Sequence, residues 1–128
     1  MKILFTLLLL PCFILFSSFD ITSSIDDVVV AMKTGNASQL SKFFDSSVEV
    51  SMPDKSNSYS KSQAEMVLKD FFSTNNVRGF DIIHKGENAG SQYCIGMLQT
   101  GSGTYRTTIF MKQKAGIQVL QELRFENR

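Results

Sequence analysis

The sequence predicts an α+β domain in which one curved antiparallel sheet wraps around three helices to form a cone. Two observations predict this class. Apolar residues recur at helical spacing in three segments before Asn76, whereas the remaining chain alternates apolar and polar residues with a period of two. Short turns containing glycine separate the later strands, and strands joined by such turns must be antiparallel neighbours.

The N-terminal segment has the pattern of a secretion signal. Lys2 supplies a positive start, and residues 3–16 form an almost unbroken apolar run. That run suits a signal peptide and is too short to cross a bilayer as a helix. We therefore expect residues 1–19 to be a signal peptide and residues 20–128 a single domain, exported to the periplasm or secreted. A retained membrane anchor and lipidation at Cys12 are the alternatives.

Removal of the signal would leave an electrically neutral domain. The 13 Lys and Arg residues include Lys2, so twelve remain against 12 Asp and Glu. A neutral surface lacks the basic stripe that tracks phosphates, so we expect no nucleic acid partner and no membrane contact after cleavage. Cys94 would be the one remaining cysteine, which excludes an internal disulfide. We expect its side chain to be a small buried apolar group, the alternative being a reactive thiol.

Start and stop signals predict three helices. The first covers residues 20–33, and Asn36 then caps a second, short helix. The third begins at the capping box formed by Ser62 and Glu65 and ends at residues 75–76. The apolar edge of the second helix is expected to consist of Leu40, Phe43 and Phe44.

Period-two segments predict a pair of short strands and then a four-strand meander. Their expected ranges are 48–52, 58–60, 79–85, 92–100, 104–113 and 117–126. In the last strand Val119, Leu123 and Phe125 share the apolar face, so this alternation places Leu120 on the opposite, outer face of the sheet.

The element order and several local stretches resemble the nuclear transport factor two-like and ketosteroid isomerase-like superfamily, and within it a family of small exported bacterial proteins of unknown function. The resemblance covers about residues 21–126 and implies the cone-shaped fold. It leaves function open, because the superfamily contains enzymes and non-enzymes. The matching stretches are 35–37, 40–45, 48–50, 59–65, 67–72, 84–86, 93–96, 105–106 and 117–118.

Aromatic side chains are abundant for one small core, and in a cone some of them would line a pocket for a small apolar ligand or a partner segment. The buried hydroxyls of such tyrosines would also need partners. The alternative is that the rings fill the cone, and a cone filled by Phe44, Phe71 and Met66 would leave no pocket. The predicted pocket residues are Phe44, Tyr59, Phe71, His84, Tyr93, Tyr105 and Arg106.

Catalytic signals are weak. His84 is the one histidine, which excludes a histidine metal cluster, and the period-two count places it on one face with Phe80 and Ile82. Phosphate loops and zinc spacings are lacking from the sequence, so we expect no cofactor and no metal. A non-catalytic binding module is therefore the leading interpretation. An acid–base isomerase or dehydratase, the chemistry that the superfamily resemblance implies, is the least favoured one.

A homodimer that uses the outer sheet face is the remaining alternative. The superfamily resemblance implies it, since many relatives dimerise in this way. The residues expected on that face are Thr108, Phe110, Lys112, Leu120 and Arg124.

Overall fold

The computed structural model of the protein describes residues 24–128. The predicted signal peptide and the first residues of the predicted first helix lie outside this range. None of the helices in it is long and apolar enough to cross a membrane. In chain order the elements are α1 (Ser24–Thr34), α2 (Ala37–Ser41), β1 (Phe44–Met52), β2 (Lys55–Ser60), α3 (Lys61–Asn75), β3 (Val77–Asn88), β4 (Ser91–Thr100), β5 (Gly103–Lys114) and β6 (Ile117–Asn127).

The six strands form one sheet in the order β2-β1-β6-β5-β4-β3. Strands β3 to β6 make the predicted meander, and β1 with β2 makes the predicted N-terminal pair. The α+β fold with three helices is thus confirmed. One junction differs from the prediction, because β1 lies parallel to β6 and the sheet is mixed. A connection as long as the one from β1 to β6 permits this parallel pairing.

The helices cover one face of the sheet, which we call the inner face. Helix α1 contacts β3 and β4, whereas α3 contacts β1, β2 and α2. Apolar side chains from both layers meet between them, and burial of this surface is the main stabilising term of the fold. Fully buried members of this core include Val28, Met32, Leu40, Leu68, Leu98, Ile109, Met111, Leu123 and Phe125.

Among the register shifts in the sheet, two β-bulges overturn a predicted face. In β3, Ile82 pairs with Gly96 and His84 pairs with Ile95, so Ile83 is an extra residue. His84 therefore lies on the outer face, and its predicted grouping with Ile82 on one face is wrong. Because simple alternation ignores such insertions, the sequence pattern could not reveal this.

The second bulge lies in β6. Met111 pairs with Leu120 and Phe110 pairs with Glu122, so Gln121 is the extra residue. Leu120 is consequently fully buried in the core, and its predicted outer position is wrong. Val119, which pairs with Lys112, takes the outer position instead.

Two local boundaries also differ from the prediction. Helix α3 is capped by Ser60, whose hydroxyl accepts from the Gln63 backbone N–H, and Gln63 completes the capping box. The predicted box partner Glu65 instead accepts a hydrogen bond from the Ser41 hydroxyl at 3.2 Å. Phe44 begins β1 rather than ending α2, although its side chain is buried as expected.

Candidate functional site

A cleft of about 580 Å³ opens at one end of the sheet, between α3 and the β1–β2 hairpin. Its volume falls within the range of small-molecule sites. The lining residues come from the hairpin, from the second half of α3 and from the adjoining ends of β5 and β6. They are Met52, Pro53, Asp54, Lys55, Met66, Val67, Asp70, Phe71, Thr74, Asn75, Tyr105 and Asn127.

The aromatic part of the lining is formed by Phe71 and Tyr105. Their ring centroids lie 5.3 Å apart in an edge-to-face arrangement, which is favourable for aromatic pairs. Phe71 also contacts Phe125 at a centroid distance of 4.7 Å, which joins the cleft to the core. The apolar lining is therefore held rigidly by packing from behind.

A short hydrogen-bond chain orients the polar groups beside these rings. The Tyr105 hydroxyl donates to Asn75 Oδ1 at 3.1 Å, and Asn75 Nδ2 donates to the Phe71 carbonyl oxygen at 2.8 Å. The carbonyl can only accept, so it fixes the orientation of the Asn75 amide. The Tyr105 oxygen keeps its acceptor capacity, which a ligand N–H or O–H can use.

The rim of the cleft is exposed to solvent. Asp54, Lys55 and Asp70 are exposed, and the Met66 side chain is 71% exposed at the same opening. Charged groups in such a position are solvated, so their charges are weak determinants of binding. Contact with a ligand would come mainly from the apolar lining.

The interior of the cone is filled. Phe71 is only 8% exposed, and its ring packs with those of Phe72 and Phe125, while Phe44 is buried as well. Met66, however, points away from this filling, as its exposure shows. The predicted pocket is therefore restricted to the mouth of the cone.

The predicted pocket residues do not form one site. Phe71 and Tyr105 line the cleft, and Tyr59 lines a shallower groove beside it that shares Met66 and Val67. Phe44 lies in the core at the start of β1.

The other three predicted residues lie on the outer face. His84 Nε2 and the Tyr93 hydroxyl share a hydrogen bond of 2.8 Å, with ring centroids 5.4 Å apart. Gly86 makes room for this pair, since a Cβ there would lie 2.6 Å from the Tyr93 hydroxyl oxygen. Arg106 pairs with Met97 in the neighbouring strand and is exposed. The sheet separates these side chains from the cleft.

The sequence profile of a family described as Domain of unknown function (DUF4783) matches residues 25–126. The chain belongs to this family. Two solved DUF4783 structures are similar to it over most of their length. The protein from Bacteroides fragilis is 31% identical, with a TM-score of 0.76 and coverage of 80% of this chain and 96% of that one. The protein from Bacteroides uniformis is 29% identical, with a TM-score of 0.78 and coverage of 80% and 95%.

More distant likeness concerns the fold alone. An NTF2-like protein of unknown function from Cytophaga hutchinsonii is 10% identical, with a TM-score of 0.60, and the match covers 83% of this chain and 89% of that one. The predicted cone-shaped fold is thus confirmed. A search of the curated proteins finds no match.

Sequence reasoning missed several cleft residues of this DUF4783 domain, above all Asn75 and Asn127. Asn75 was recognised as a helix stop, and its second role, holding the Tyr105 hydroxyl, needs a residue 30 positions away. The turn cluster at 53–57 was a visible signal. Its position opposite the end of α3 could not be inferred without the tertiary structure.

Cys94 is fully buried in β4, as predicted. Burial raises the pKa of its thiol, because the charged form is poorly solvated there. The thiol therefore stays protonated and unreactive at neutral pH.

Nearby, Lys85 Nζ donates to Asp26 at 2.7 Å, which ties α1 to β3 and raises the pKa of the Lys85 ammonium.

Proposed function

We propose that this domain is an exported, non-catalytic binding module that holds a small amphipathic ligand in the cleft at the mouth of its cone. The observation that carries the proposal is the pairing of a packed aromatic wall, Phe71 and Tyr105, with an oriented hydroxyl acceptor in a cleft of about 580 Å³. A lining that combines packed apolar side chains with placed polar groups is typical of ligand sites.

Binding is favoured over catalysis by the state of the ionisable groups in the cleft. Asp54, Lys55 and Asp70 are exposed. Acid–base catalysis usually relies on a carboxyl or imidazole group whose pKa is shifted by burial or by a charged partner. The one histidine lies on the outer face and cannot reach a ligand beside Phe71.

The test uses two neighbouring, exposed positions on α3, of which only Thr74 lines the cleft. Thr74→Trp would fill the cleft, whereas Ser73→Trp adds the same ring outside it. Binding of the neutral fluorescent probe N-phenyl-1-naphthylamine should weaken about tenfold or more in Thr74→Trp, roughly the effect of losing 1.4 kcal/mol of contact. Ser73→Trp should bind as the wild-type protein does.

Native mass spectrometry of the protein recovered from its own compartment complements the probe. It should show an added small-molecule mass that Thr74→Trp loses and Ser73→Trp keeps. A ligand-free protein, together with equal probe binding by both variants, would contradict the proposal. Circular dichroism spectra of the three proteins check that folding is unchanged.

Export is part of the proposal and has its own test. The intact mass of the protein collected outside the cytoplasm should correspond to cleavage near residue 19. A chain that retains Met1, or one found only in the cytoplasm, would contradict export while leaving the ligand site untouched.

A second candidate function is self-association through the outer face. Tyr93 pairs with Phe110 there, and Ile95 and Met97 continue a half-buried apolar stripe along β4. Ile83, which is 61% exposed, extends the stripe. A second copy suits this face because Arg124 and Glu122 of β6 pair with each other at 3.0 Å, so the charges beside the apolar stripe are balanced and two copies need not repel each other.

The oligomeric state decides this candidate. Multi-angle light scattering should give a dimer for the wild-type protein and a monomer for Phe110→Lys, since a charge in the centre of an apolar interface is costly. Lys69→Glu, which changes an exposed charge on α3 away from the outer face, should leave the dimer intact. A wild-type monomer at high concentration would exclude this function.

A further inference from the structure

A second cavity, of about 320 Å³, lies at the end of the sheet opposite to the cleft. It is formed where the β3–β4 and β5–β6 hairpins turn, and each side chain that lines it carries a polar group. Glu87, Gln92, Gln113 and Gln118 supply the side chains, and Gly90 supplies backbone. Gln113 and Gln118 face each other across β5 and β6, and Gln92 lies on the same inner face.

The two inner glutamines have fixed amide orientations. Gln92, only 4% exposed, donates through Nε2 to Glu87 Oε1 at 2.9 Å. Gln118 donates through Nε2 to the Gly90 carbonyl oxygen at 3.0 Å. Both partners can only accept, so rotating either amide would place oxygen against oxygen.

The amide oxygens of these glutamines are the unusual feature. Gln92 Oε1 and Gln118 Oε1 are both buried, and neither has a hydrogen-bond donor within the described part of the chain. A buried acceptor without a donor is destabilising, and native proteins rarely keep one without a reason. Two such atoms lining one cavity indicate a ligand that brings donors.

The charge of the lining indicates which kind of hydrogen-bond donor the ligand carries. Glu87 carries the one ionisable side chain among the lining residues that the structure describes. The nearby Lys114 ammonium is held at 2.7 Å by Asp45, outside the cavity. The site is thus anionic and made of acceptors, so an anion is excluded and a positively charged group with several N–H donors fits.

We propose that this cavity binds a small molecule through a primary ammonium group. The ammonium would donate to Gln92 Oε1 and Gln118 Oε1 and lie beside the Glu87 carboxylate. A divalent cation fits less well, because one carboxylate and two neutral oxygens provide little charge for it. Both oxygens are shielded from solvent in the conformation described, so the proposal requires a side chain to move, and the exposed Gln113, which lies against Gly90, would be the one that moves.

The proposal is tested by NMR titration with n-butylammonium chloride. The side-chain NH₂ signals of Gln92 and Gln118 should shift in a saturable way. Tetramethylammonium, which has the charge but no N–H donor, should leave these signals in place. Equal shifts with both salts, or no shift with either, would overturn the proposal, as would tighter binding of calcium chloride than of butylammonium.

Variants of the acceptors complete the test. Gln118→Met and Gln92→Met keep side-chain length and should weaken butylammonium binding about tenfold or more, the usual effect of removing a hydrogen bond to a charged group. Gln99→Met, a glutamine on the outer face, is the matched control and should bind normally. Unchanged affinity in Gln118→Met and Gln92→Met would overturn the assignment.

A stability readout separates a binding role from a merely structural one. In the ligand-free Gln118→Met protein, removal of the unpaired buried acceptor should offset the lost hydrogen bond from Gln118 Nε2 to the Gly90 carbonyl oxygen, so the melting temperature should change little. A clear fall would mean that Gln118 is structural and would overturn the proposal. The cleft variant Thr74→Trp should bind butylammonium normally, so this site and the cleft can fail independently.

Discussion

Asp45 joins the beginning of β1 to the far end of the β5–β6 hairpin, and its replacement by asparagine is the first prediction. Its carboxylate accepts from Lys114 Nζ at 2.7 Å, from Gln121 Nε2 at 3.1 Å and from the Ser46 backbone N–H at 2.8 Å. The hydrogen bond from Lys114 is the main cause that lowers the pKa of Asp45 from 3.8 to about 2, followed by those from Gln121 and Ser46.

The stability that Asp45→Asn should lose follows from this pKa shift of Asp45. Lowering a carboxyl pKa from 3.8 to about 2 corresponds to at most about 2.5 kcal/mol of stabilisation. Because the Lys114 side chain is 52% exposed, solvent screens the ion pair strongly. We therefore expect Asp45→Asn to lower the free energy of unfolding by about 1 kcal/mol at pH 7.

The pH dependence gives the sharper test. A carboxyl whose pKa is lowered by folding stabilises the protein fully above its unfolded pKa of 3.8, and this contribution is lost as the pH falls to about 2. The difference between wild type and Asp45→Asn, measured by urea unfolding, should thus be constant from pH 7 to about 5 and nearly vanish at about pH 2.

Asp54→Asn, at an exposed position in the β1–β2 turn, is the control and should change stability little at any pH. A difference for Asp45→Asn that persists unchanged at low pH would refute the electrostatic reasoning. It would indicate that the amide disturbs packing at the start of β1 instead.

Three further substitutions test local features of the fold by thermal or urea unfolding. Gly96→Ala should lower the free energy of unfolding by about 2–3 kcal/mol, because the added Cβ would lie 2.3 Å from the Phe80 ring and 2.7 Å from the Asp81 carbonyl oxygen. Gly79→Ala is the control and should be nearly neutral, since its nearest contact would be at 3.6 Å. Ala115→Asn should stabilise by about 0.5–1 kcal/mol, because position 115 has φ of 50° in a two-residue turn before a glycine; an unchanged melting temperature would contradict this. Ser60→Ala should cost about 1 kcal/mol and Ser62→Ala much less; the reverse order would mean that the cap is at Ser62.

Periodicity and turn chemistry were sufficient to predict the elements of this fold. The alternation of Thr107, Ile109 and Met111 against polar neighbours predicted β5, and all three are fully buried. Asn36 was predicted to cap α2, and its side chain accepts from the Gln39 backbone N–H at 3.0 Å. Such signals are local, so a single sequence carries them.

Features that depend on a distant partner could not be predicted. The bulge at Ile83 reverses the face of His84, and an insertion of this kind is visible only against the partner strand. The cap of α3 is a different case, since Ser60 with Gln63 and Ser62 with Glu65 are overlapping boxes of equal quality. In the structure the Ser60 box forms, and Glu65 instead lies within hydrogen-bond distance of the Ser41 hydroxyl.

The same dependence on distant parts of the chain explains which residues of the candidate site could be predicted. Phe71 was predicted as a pocket residue for its ring, and it lines the cleft because it belongs to the apolar stripe of α3, which faces the sheet. Tyr93 was placed in the pocket for its ring and hydroxyl, yet its strand neighbours Gln92 and Cys94 occupy the inner face. Ring chemistry identifies a candidate, whereas alternation within the strand decides which side of the sheet it reaches.

The β5–β6 hairpin connects the two proposed sites and explains why their chemistry differs. Its middle carries Ile109 and Leu123, which are fully buried. Cavities therefore lie at the two ends of the hairpin, near Tyr105 at one end and near Gln118 at the other. The aromatic wall at one end would select apolar groups, and the unpaired amide oxygens at the other would select cationic groups. One hairpin would thus present two proposed recognition surfaces, and a ligand bound at either end would not need to disturb the core between them.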